Sequence, residues 1–238
     1  NYAVSNPLIS QIRKPMSDHT ANYDFQTINP QNGEVIESYS YMEDDQVKSA
    51  IKDCHAAFER WRFTSLDDRA AIMMRIGKEL QKHKETLSIL MTREMGKLLR
   101  QSKQEIELSA DICNYTANSG PSLLQSEERE LSNGGRGIVT YRPLGVIYGI
   151  QPWNFPTYQV VRYAIVNLMA GNGVILKHAE SVTGTGKMLK DIFIKAGLPK
   201  DLFTVLRISH DQSDSVISND LVRGVTFTGS PDAGRIVG

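Results

Sequence analysis

The amino-acid sequence predicts an α/β fold, in which a helical amino-terminal half is followed by a doubly wound parallel sheet. Two observations support this prediction. Between residues 43 and 121, apolar side chains recur every three or four positions, which is typical of amphipathic helices. From Gly145 onward, short runs rich in β-branched residues alternate with helical stretches. Because strand–helix–strand units cross over with a right-handed turn, these runs are expected to form one parallel sheet.

The amino-terminal half is expected to hold an arm, a short strand and four helices. Residues 1–22 show no periodicity and are interpreted as the arm. The turn sequence Asn29–Gly33 precedes a strand at Glu34–Ile36. The apolar faces of the four helices run from Val47 to Trp61, from Ala70 to Leu80, from Leu87 to Met91, and from Ile106 to Ala117, with an end near Gly120–Pro121.

The pattern changes after Gly120. Leu123 to Leu131 and Ile138 to Tyr141 flank a glycine-rich turn, which predicts a β-hairpin. The parallel sheet then follows. Its predicted strands are Val146–Ile150, Gly173–Leu176, Phe203–Leu206 and Gly224–Phe227, and its predicted helices are 158–170, 183–196, 211–218 and one that starts near Pro231.

The composition is that of an ordinary globular chain and disfavours several classes of partner. The 238 residues include 27 Lys and Arg against 27 Asp and Glu, so the formal net charge is zero. A neutral chain has no overall field for a polyanion such as nucleic acid. No apolar run reaches the roughly 20 residues that span a bilayer, and the amino terminus has no signal-peptide pattern. We therefore expect a cytoplasmic protein without nucleic-acid or membrane partners.

The two cysteines, Cys54 and Cys113, are too few for a disulfide scaffold or a four-cysteine zinc site. Both lie on predicted apolar helix faces, and neither lies in a glycine-rich turn that would lower the pKa of its thiol. We expect both thiols to be buried in the core, and we predict no metal site.

Polar side chains of the kinds that bind ligands or catalyse reactions follow three strands of the predicted sheet, at the edge where such sheets bind ligands. They lie in Pro152–Pro156, Lys177–Glu180 and Thr228–Ser230. In the first segment two prolines fix the backbone around Asn154, which preorganises its amide as a hydrogen-bond donor. A rigid turn with a capping Asn is the alternative interpretation.

Two phosphate-binding patterns are absent. A P-loop would need a Gly at position 181 and a Ser or Thr after Lys187, and these positions hold Ser181 and Met188. The pattern Gly-x-Gly-x-x-Gly that begins at Gly171 fails because Leu176 takes the place of the last Gly. A phosphate-loop kinase is therefore disfavoured, although the strand–helix alternation suits a nucleotide.

Several motifs in order and spacing resemble the aldehyde dehydrogenase superfamily, and among its members the bacterial succinate-semialdehyde dehydrogenases. The similarity covers nearly the whole chain from about Asn29. The motifs are Thr92–Lys97, Tyr141–Gly145, Pro152–Pro156, Ala170–Asn172, Lys177–Glu180 and Phe227–Ser230.

The resemblance implies a division of the chain. Residues 1–22 would be an arm, residues 23–122 the helical part of the cofactor-binding domain, residues 123–142 an oligomerisation hairpin and residues 143–238 the NAD-binding α/β core. It also implies an NAD cofactor, with NADP possible, a small-molecule aldehyde substrate, and a homodimer or homotetramer when the chain is full length.

The resemblance further assigns site residues. Asn154 matches the amide of the oxyanion hole, which donates to the oxygen of the thiohemiacetal formed by a catalytic Cys. Arg162 matches the Arg that binds the distal carboxylate of succinate semialdehyde, with a surface Arg as the equally weighted alternative. Lys177 and Glu180 match the pair that binds the adenine ribose, where a carboxylate favours NAD over NADP. The remaining cofactor contacts are Ile150, Pro152, Trp153, Phe227, Gly229, Ser230 and Ile236.

The chain departs from the pattern of this superfamily in three places. His178 stands where Pro is common, and Ile208–Asp211 replaces a glycine-rich stretch near the adenine. The nucleophilic Cys and the general-base Glu would follow Ser230 by a few dozen residues, and the sequence ends at Gly238. We therefore expect the segment to be inactive alone. The alternative is that it is a non-catalytic nucleotide-binding or assembly module.

Overall fold

The protein was examined as a computed structural model that describes residues 23–238, so the predicted arm at residues 1–22 lies outside the described residues. Its elements are β1 (Phe25–Ile28), β2 (Val35–Tyr39), α1 (Asp44–Trp61), α2 (Leu66–Lys82), α3 (Lys84–Met95), α4 (Leu99–Leu123), β3 (Glu127–Glu130), β4 (Arg136–Val139), β5 (Val146–Gln151), α5 (Tyr158–Ala170), β6 (Gly173–His178), α6 (Thr183–Lys195), β7 (Phe203–Leu206), α7 (His210–Ile217), β8 (Val222–Phe227) and α8 (Pro231–Val237). Glu180–Val182 form a 3₁₀ turn between β6 and α6.

The predicted α/β fold with a parallel sheet is confirmed. Four parallel strands lie in the order β7-β6-β5-β8. The chain moves outward from β5 through β6 to β7 and then returns to place β8 on the free side of β5. The strand order therefore reverses at β5, and in such sheets a crevice for ligands opens at the carboxyl end of that strand.

Apolar residues on both faces of the sheet hold it between two helical layers. On one face, α1 and α7 contribute Val47, Ile51, Cys54 and Val216 to a cluster with residues of β5, β6 and β7. On the other face, α5 and α6 pack against the sheet and α2, α3 and α4 pack outside them. The strands β5 and β6 are almost entirely buried, as expected for a parallel sheet covered on both faces.

Close packing on the second face depends on Gly149 of β5. A Cβ atom at this position would lie 2.2 Å from the ring of Tyr163 on α5, and the Tyr163 hydroxyl donates to the carbonyl of Ile175 at 3.2 Å. Only glycine therefore allows α5 to lie this close to β5, which is the strand that leads into the Pro152–Pro156 turn.

Several predicted boundaries were wrong. The helix predicted to end near Gly120–Pro121 runs to Leu123, because a proline near the end of a helix removes one backbone donor while its φ remains helical. The first hairpin strand begins at Glu127 rather than Leu123, and the second is Arg136–Val139 rather than 138–141. The strand β1 was not predicted. It pairs antiparallel with β2, which was itself predicted shorter.

No helix among residues 23–238 is long and apolar enough to cross a membrane.

Candidate functional site

Three of the predicted cofactor residues form a row across the carboxyl edge of the sheet. The Cα atom of Ile150 on β5 is in register with Lys177 on β6 and with Phe227 on β8. Residues in register on parallel strands point to the same face of the sheet. The row therefore lies on the α1 and α7 face at the point where the strand order reverses.

Lys177 lies within strand β6, and not after it as predicted from the sequence. The residue is only 5% exposed, and no hydrogen bond links its ammonium to another described residue. Burial lowers the pKa of Lys177, and the charge of Glu180 opposes this shift. An ammonium that its surroundings partly desolvate is suited to a ligand that supplies oxygen acceptors.

Glu180 is held by a residue from the amino-terminal half of the chain. Its carboxylate accepts a hydrogen bond from the hydroxyl of Tyr41 at 2.5 Å. Burial together with the neighbouring Glu180 raises the pKa of Tyr41 to about 12, so the phenol remains a donor at neutral pH. Tyr41 was not predicted as part of the site, since 139 residues separate it from Glu180 along the chain.

The turn after β5 presents its side chains to the surface. Pro152 is partly buried, whereas Trp153, Asn154 and Phe155 are exposed, and Pro156 is buried again. The amide of Asn154 makes no side-chain hydrogen bond to the residues that the structure describes, so both of its N–H groups are free to donate. A capping role for Asn154, the alternative interpretation, has no support in the hydrogen bonds of α5, whose first N–H groups bond elsewhere.

Arg162 lies on α5 one turn after its start. The residue is exposed, and its guanidinium lies 5.6 Å from the ring centre of Tyr158. No carboxylate among the described residues pairs with it. The guanidinium is therefore available to an anion, on the helix that directly follows the Asn154 turn.

The start of α8 lies against the end of the residue row. A Cβ atom at Gly229 would lie 2.4 Å from the Phe227 ring, so glycine lets the backbone cross over this ring. The hydroxyl of Ser230 accepts from the N–H of Ala233 at 3.2 Å and caps the helix. Ile236 is 82% exposed and Trp153 is 54% exposed, so the residues that the structure describes do not enclose either side chain.

Two buried carboxylates, which were not predicted as site residues, hold the helices that follow β5 and β6. Glu105 of α4 accepts from the backbone N–H groups of Thr157 and Tyr158 at 2.8 and 3.0 Å. Glu94 of α3 accepts from the backbone of Gly184 and Thr185 at 2.8 and 2.9 Å, and from the Thr185 hydroxyl. Burial raises the pKa of Glu94, and these bonds oppose the shift.

Both cysteines are buried in the core, as predicted. Burial raises the pKa of the Cys54 thiol to about 12, and it raises the pKa of Cys113 as well. Neither thiol reaches the carboxyl edge of the sheet as a reactive thiolate.

The similarity of this chain to known proteins is extensive. A model of the family described as "Aldehyde dehydrogenase family" matches residues 16–238. The chain is 38% identical over 213 residues to a succinate-semialdehyde dehydrogenase [NADP(+)] of Deinococcus radiodurans, covering 90% of this chain and 44% of that protein. It is 37% identical to the succinate semialdehyde dehydrogenase [NAD(P)+] Sad of Escherichia coli, covering 89% of this chain and 46% of the relative. The chain therefore spans less than half the length of these curated relatives.

Solved structures agree with this similarity. The succinic semialdehyde dehydrogenase of Streptococcus pyogenes, solved in complex with NADP+, superposes with a TM-score of 0.86 at 31% identity, covering 90% of this chain and 47% of that one. A structure of Gox0499 superposes with a TM-score of 0.87 at 34% identity over 89% of this chain and 46% of that one. The family model matches residues 16–238, which include every residue that the structure describes, with the parallel sheet and the residue row at its strand ends. The chain belongs to the aldehyde dehydrogenase family.

Proposed function

We propose that this chain is the cofactor-binding part of an NAD(P)-dependent aldehyde dehydrogenase that oxidises succinate semialdehyde to succinate. The observation that carries the proposal is the row of Lys177, Ile150 and Phe227 at the switch point of the sheet, with the ammonium of Lys177 near the carboxylate of Glu180. The names of the similar proteins, which include NADP+ and NAD(P)+ succinate-semialdehyde dehydrogenases, support the same assignment.

The residues present fit a dinucleotide. A ribose offers two neighbouring hydroxyls, and Lys177 and Glu180 provide one donor and one acceptor for them. We assign the apolar surface beside this pair to Ile150 and Phe227, and further cofactor contacts to Pro152, Trp153, Gly229, Ser230 and Ile236. When bound, the cofactor supplies the hydride acceptor of the oxidation.

The amide of Asn154 is proposed to stabilise negative charge on the aldehyde oxygen during attack by a thiolate. Its N–H groups are free and its turn is rigid, so they donate without reorganisation when the charge develops. One such donor typically contributes about 2.7–4 kcal/mol to the stability of the transition state. Neither Cys54 nor Cys113 is assigned as the thiolate, because both are buried in the core.

The carboxylate of the substrate is assigned to Arg162. A planar guanidinium binds a carboxylate through two parallel hydrogen bonds, and Arg162 is exposed one turn into the helix that follows Asn154. A four-carbon semialdehyde carries its carboxylate at the end opposite to the reacting carbonyl, so the proposal assigns one end to Arg162 and the other to Asn154.

The hairpin of β3 and β4 is proposed to be an oligomerisation arm, and the complete protein a homodimer or homotetramer. Ile138 and Val139 are 67% and 42% exposed on this hairpin, which suits an arm that is covered by another subunit. The cytoplasmic location remains a prediction from the sequence.

Steady-state kinetics on the protein expressed from its full reading frame test the proposed function. We expect NADP+ or NAD+ reduction that depends on succinate semialdehyde, and a loss of kcat of about 10² to 10³ fold in Asn154→Ala. Asn118→Ala, at an exposed asparagine of α4, is the control. Dinucleotide binding without aldehyde oxidation would instead support the non-catalytic nucleotide-binding module.

A further inference from the structure

A buried ion pair lies directly beneath the turn that carries Asn154. The side chains of Lys97 and Glu105 are only 8% and 1% exposed, and the Lys97 ammonium contacts the second carboxylate oxygen of Glu105. The first oxygen accepts the N–H groups of Thr157 and Tyr158. Both oxygens of the carboxylate are therefore used, one by a cation and one by the start of α5.

Lys97 makes a second contact with the same turn. Its Nζ atom lies 3.7 Å from the ring centre of Phe155, within the range of a cation–π interaction. Gly96 ends α3 in the left-handed conformation, with a φ of 76°, and this reversal of the chain precedes Lys97. Phe155 is 46% exposed, and one face of its ring is thus held by a buried charge.

These contacts fix the residues that follow Asn154. Phe155 follows it directly, and Thr157 and Tyr158 follow within four positions, so the turn has little freedom to move relative to α4. We propose that the Lys97–Glu105 pair positions the Asn154 amide and thereby controls the rate of the chemical step rather than the affinity for the cofactor. This inference rests on the proposed function, because it assigns Asn154 to the oxyanion.

The charges of the pair suit this role. A carboxylate at the start of a 13-residue helix interacts favourably with the helix dipole, and its burial requires a compensating cation, which Lys97 supplies. The cofactor residues Lys177 and Glu180 are on β6 and the turn after it, which Glu94 and not Glu105 holds through α6. A change at Glu105 should therefore affect the Asn154 turn and leave Lys177 and Glu180 in place.

The test compares Glu105→Gln and Lys97→Met with Glu107→Gln in the protein from the full reading frame. Glu107 lies on the same helix and pairs with Lys84 at 2.9 Å in a more exposed position, which makes it a matched control. We expect Glu105→Gln and Lys97→Met to lower kcat at least tenfold while the Kd for NADP+ changes less than twofold. In an Asn154→Ala background, Glu105→Gln should lower kcat less than twofold further, because residues that act through one another are not additive.

A second readout is amide hydrogen exchange of the segment 153–162, followed by mass spectrometry. We expect faster exchange in Glu105→Gln and no change in Glu107→Gln. Unchanged exchange in this segment would overturn the inference whatever the activity, as would an equal loss of kcat in the wild-type and Asn154→Ala backgrounds. If Glu105→Gln does not fold, the same exchange and kinetic measurements are made on Lys97→Met. A wild-type protein that oxidises no aldehyde would overturn the proposed function instead, and this outcome is separate from the exchange result.

Discussion

The imidazole of His178 joins the strand that carries Lys177 to the turn that carries Asn154, through the carbonyl of Pro156. The Nε2 atom lies 3.0 Å from the Pro156 oxygen, and the N–H of Ala179 lies 3.1 Å from Nδ1. We assign the proton to Nε2, which then donates to Pro156 while Nδ1 accepts. The residue that departs from the common Pro of the family is thus a link between the two halves of the site.

His178 predicts a dependence of stability on acid pH. Burial lowers the pKa of His178 from 6.5 to about 4, with a smaller contribution from the charge of Lys177, while the carbonyls of Pro156 and Gln151, which favour the charged ring, oppose this shift. Between pH 6.5 and pH 4, His178 binds a proton in the unfolded chain but not in the folded chain. The stability of the fold therefore falls as the pH falls from 6.5 toward 4. The difference corresponds to about 3 kcal/mol at most.

Urea denaturation at a series of pH values measures this effect. We expect the free energy of unfolding of the wild type to decrease more steeply than that of His178→Gln over this range. His210→Gln, at an exposed histidine, should show the same pH dependence of the free energy of unfolding as the wild type. Parallel curves for the wild type and His178→Gln would show that the His178 ring is not buried in its neutral form.

Lys177→Met should weaken dinucleotide binding and stabilise the protein without ligand. The surroundings of Lys177 desolvate its ammonium, so its removal relieves a desolvation cost while it deletes a donor to the ribose. We expect the Kd for NADP+ to rise at least tenfold and the melting temperature without ligand to rise, as measured by calorimetry. Lys200→Met, at an exposed lysine, should change neither quantity. A lower melting temperature with unchanged Kd would refute the assignment.

Glu180→Gln should shift the cofactor preference toward NADP+. The carboxylate would repel the additional phosphate on the ribose, and the neutral amide keeps an acceptor for the Tyr41 hydroxyl. We expect the ratio of the Kd for NADP+ to the Kd for NAD+ to fall about tenfold in titration calorimetry, which corresponds to about 1.4 kcal/mol. Glu59→Gln, at an exposed glutamate of α1, is the control. An unchanged ratio would place the ribose elsewhere.

Arg162→Met should separate substrates by their charge. We expect kcat/KM for succinate semialdehyde to fall about 100-fold and that for butanal to change less than threefold, because only the former offers a carboxylate to the guanidinium. Steady-state kinetics with both aldehydes measure this difference, and Arg60→Met, at an exposed arginine of α1, is the control. Equal losses for the two aldehydes would identify Arg162 as a structural residue.

Glu94→Gln should destabilise the protein more than an ordinary surface substitution. Its carboxylate accepts three hydrogen bonds at the start of α6 while buried, and an amide satisfies fewer of them. We expect a loss of about 1–3 kcal/mol in urea denaturation at neutral pH. The free energy of unfolding of Glu85→Gln, at an exposed glutamate, should lie within about 0.5 kcal/mol of the wild type. A Glu94→Gln variant as stable as the wild type would contradict the stabilising role of Glu94 at the start of α6.

The sequence by itself determined the alternation of strands and helices, the parallel sheet and the motifs that identify the family. These features depend on periodicity and on neighbours along the chain, as the predicted range 158–170 for α5 and Phe203–Leu206 for β7 illustrate. It did not locate the end of α4 or the strand β1, since a terminal proline and a four-residue strand leave only weak local patterns.

Only the tertiary structure decided which polar groups meet. Glu105 is 52 residues from Thr157, and Tyr41 is 139 residues from Glu180, yet both pairs form hydrogen bonds. Such pairs depend on how α4 packs against α5 and on where the chain after β2 crosses the end of β6, and no local periodicity encodes these distances. The reason is physical: a buried polar group must find a partner in three dimensions, and a pattern along one dimension does not say where that partner lies.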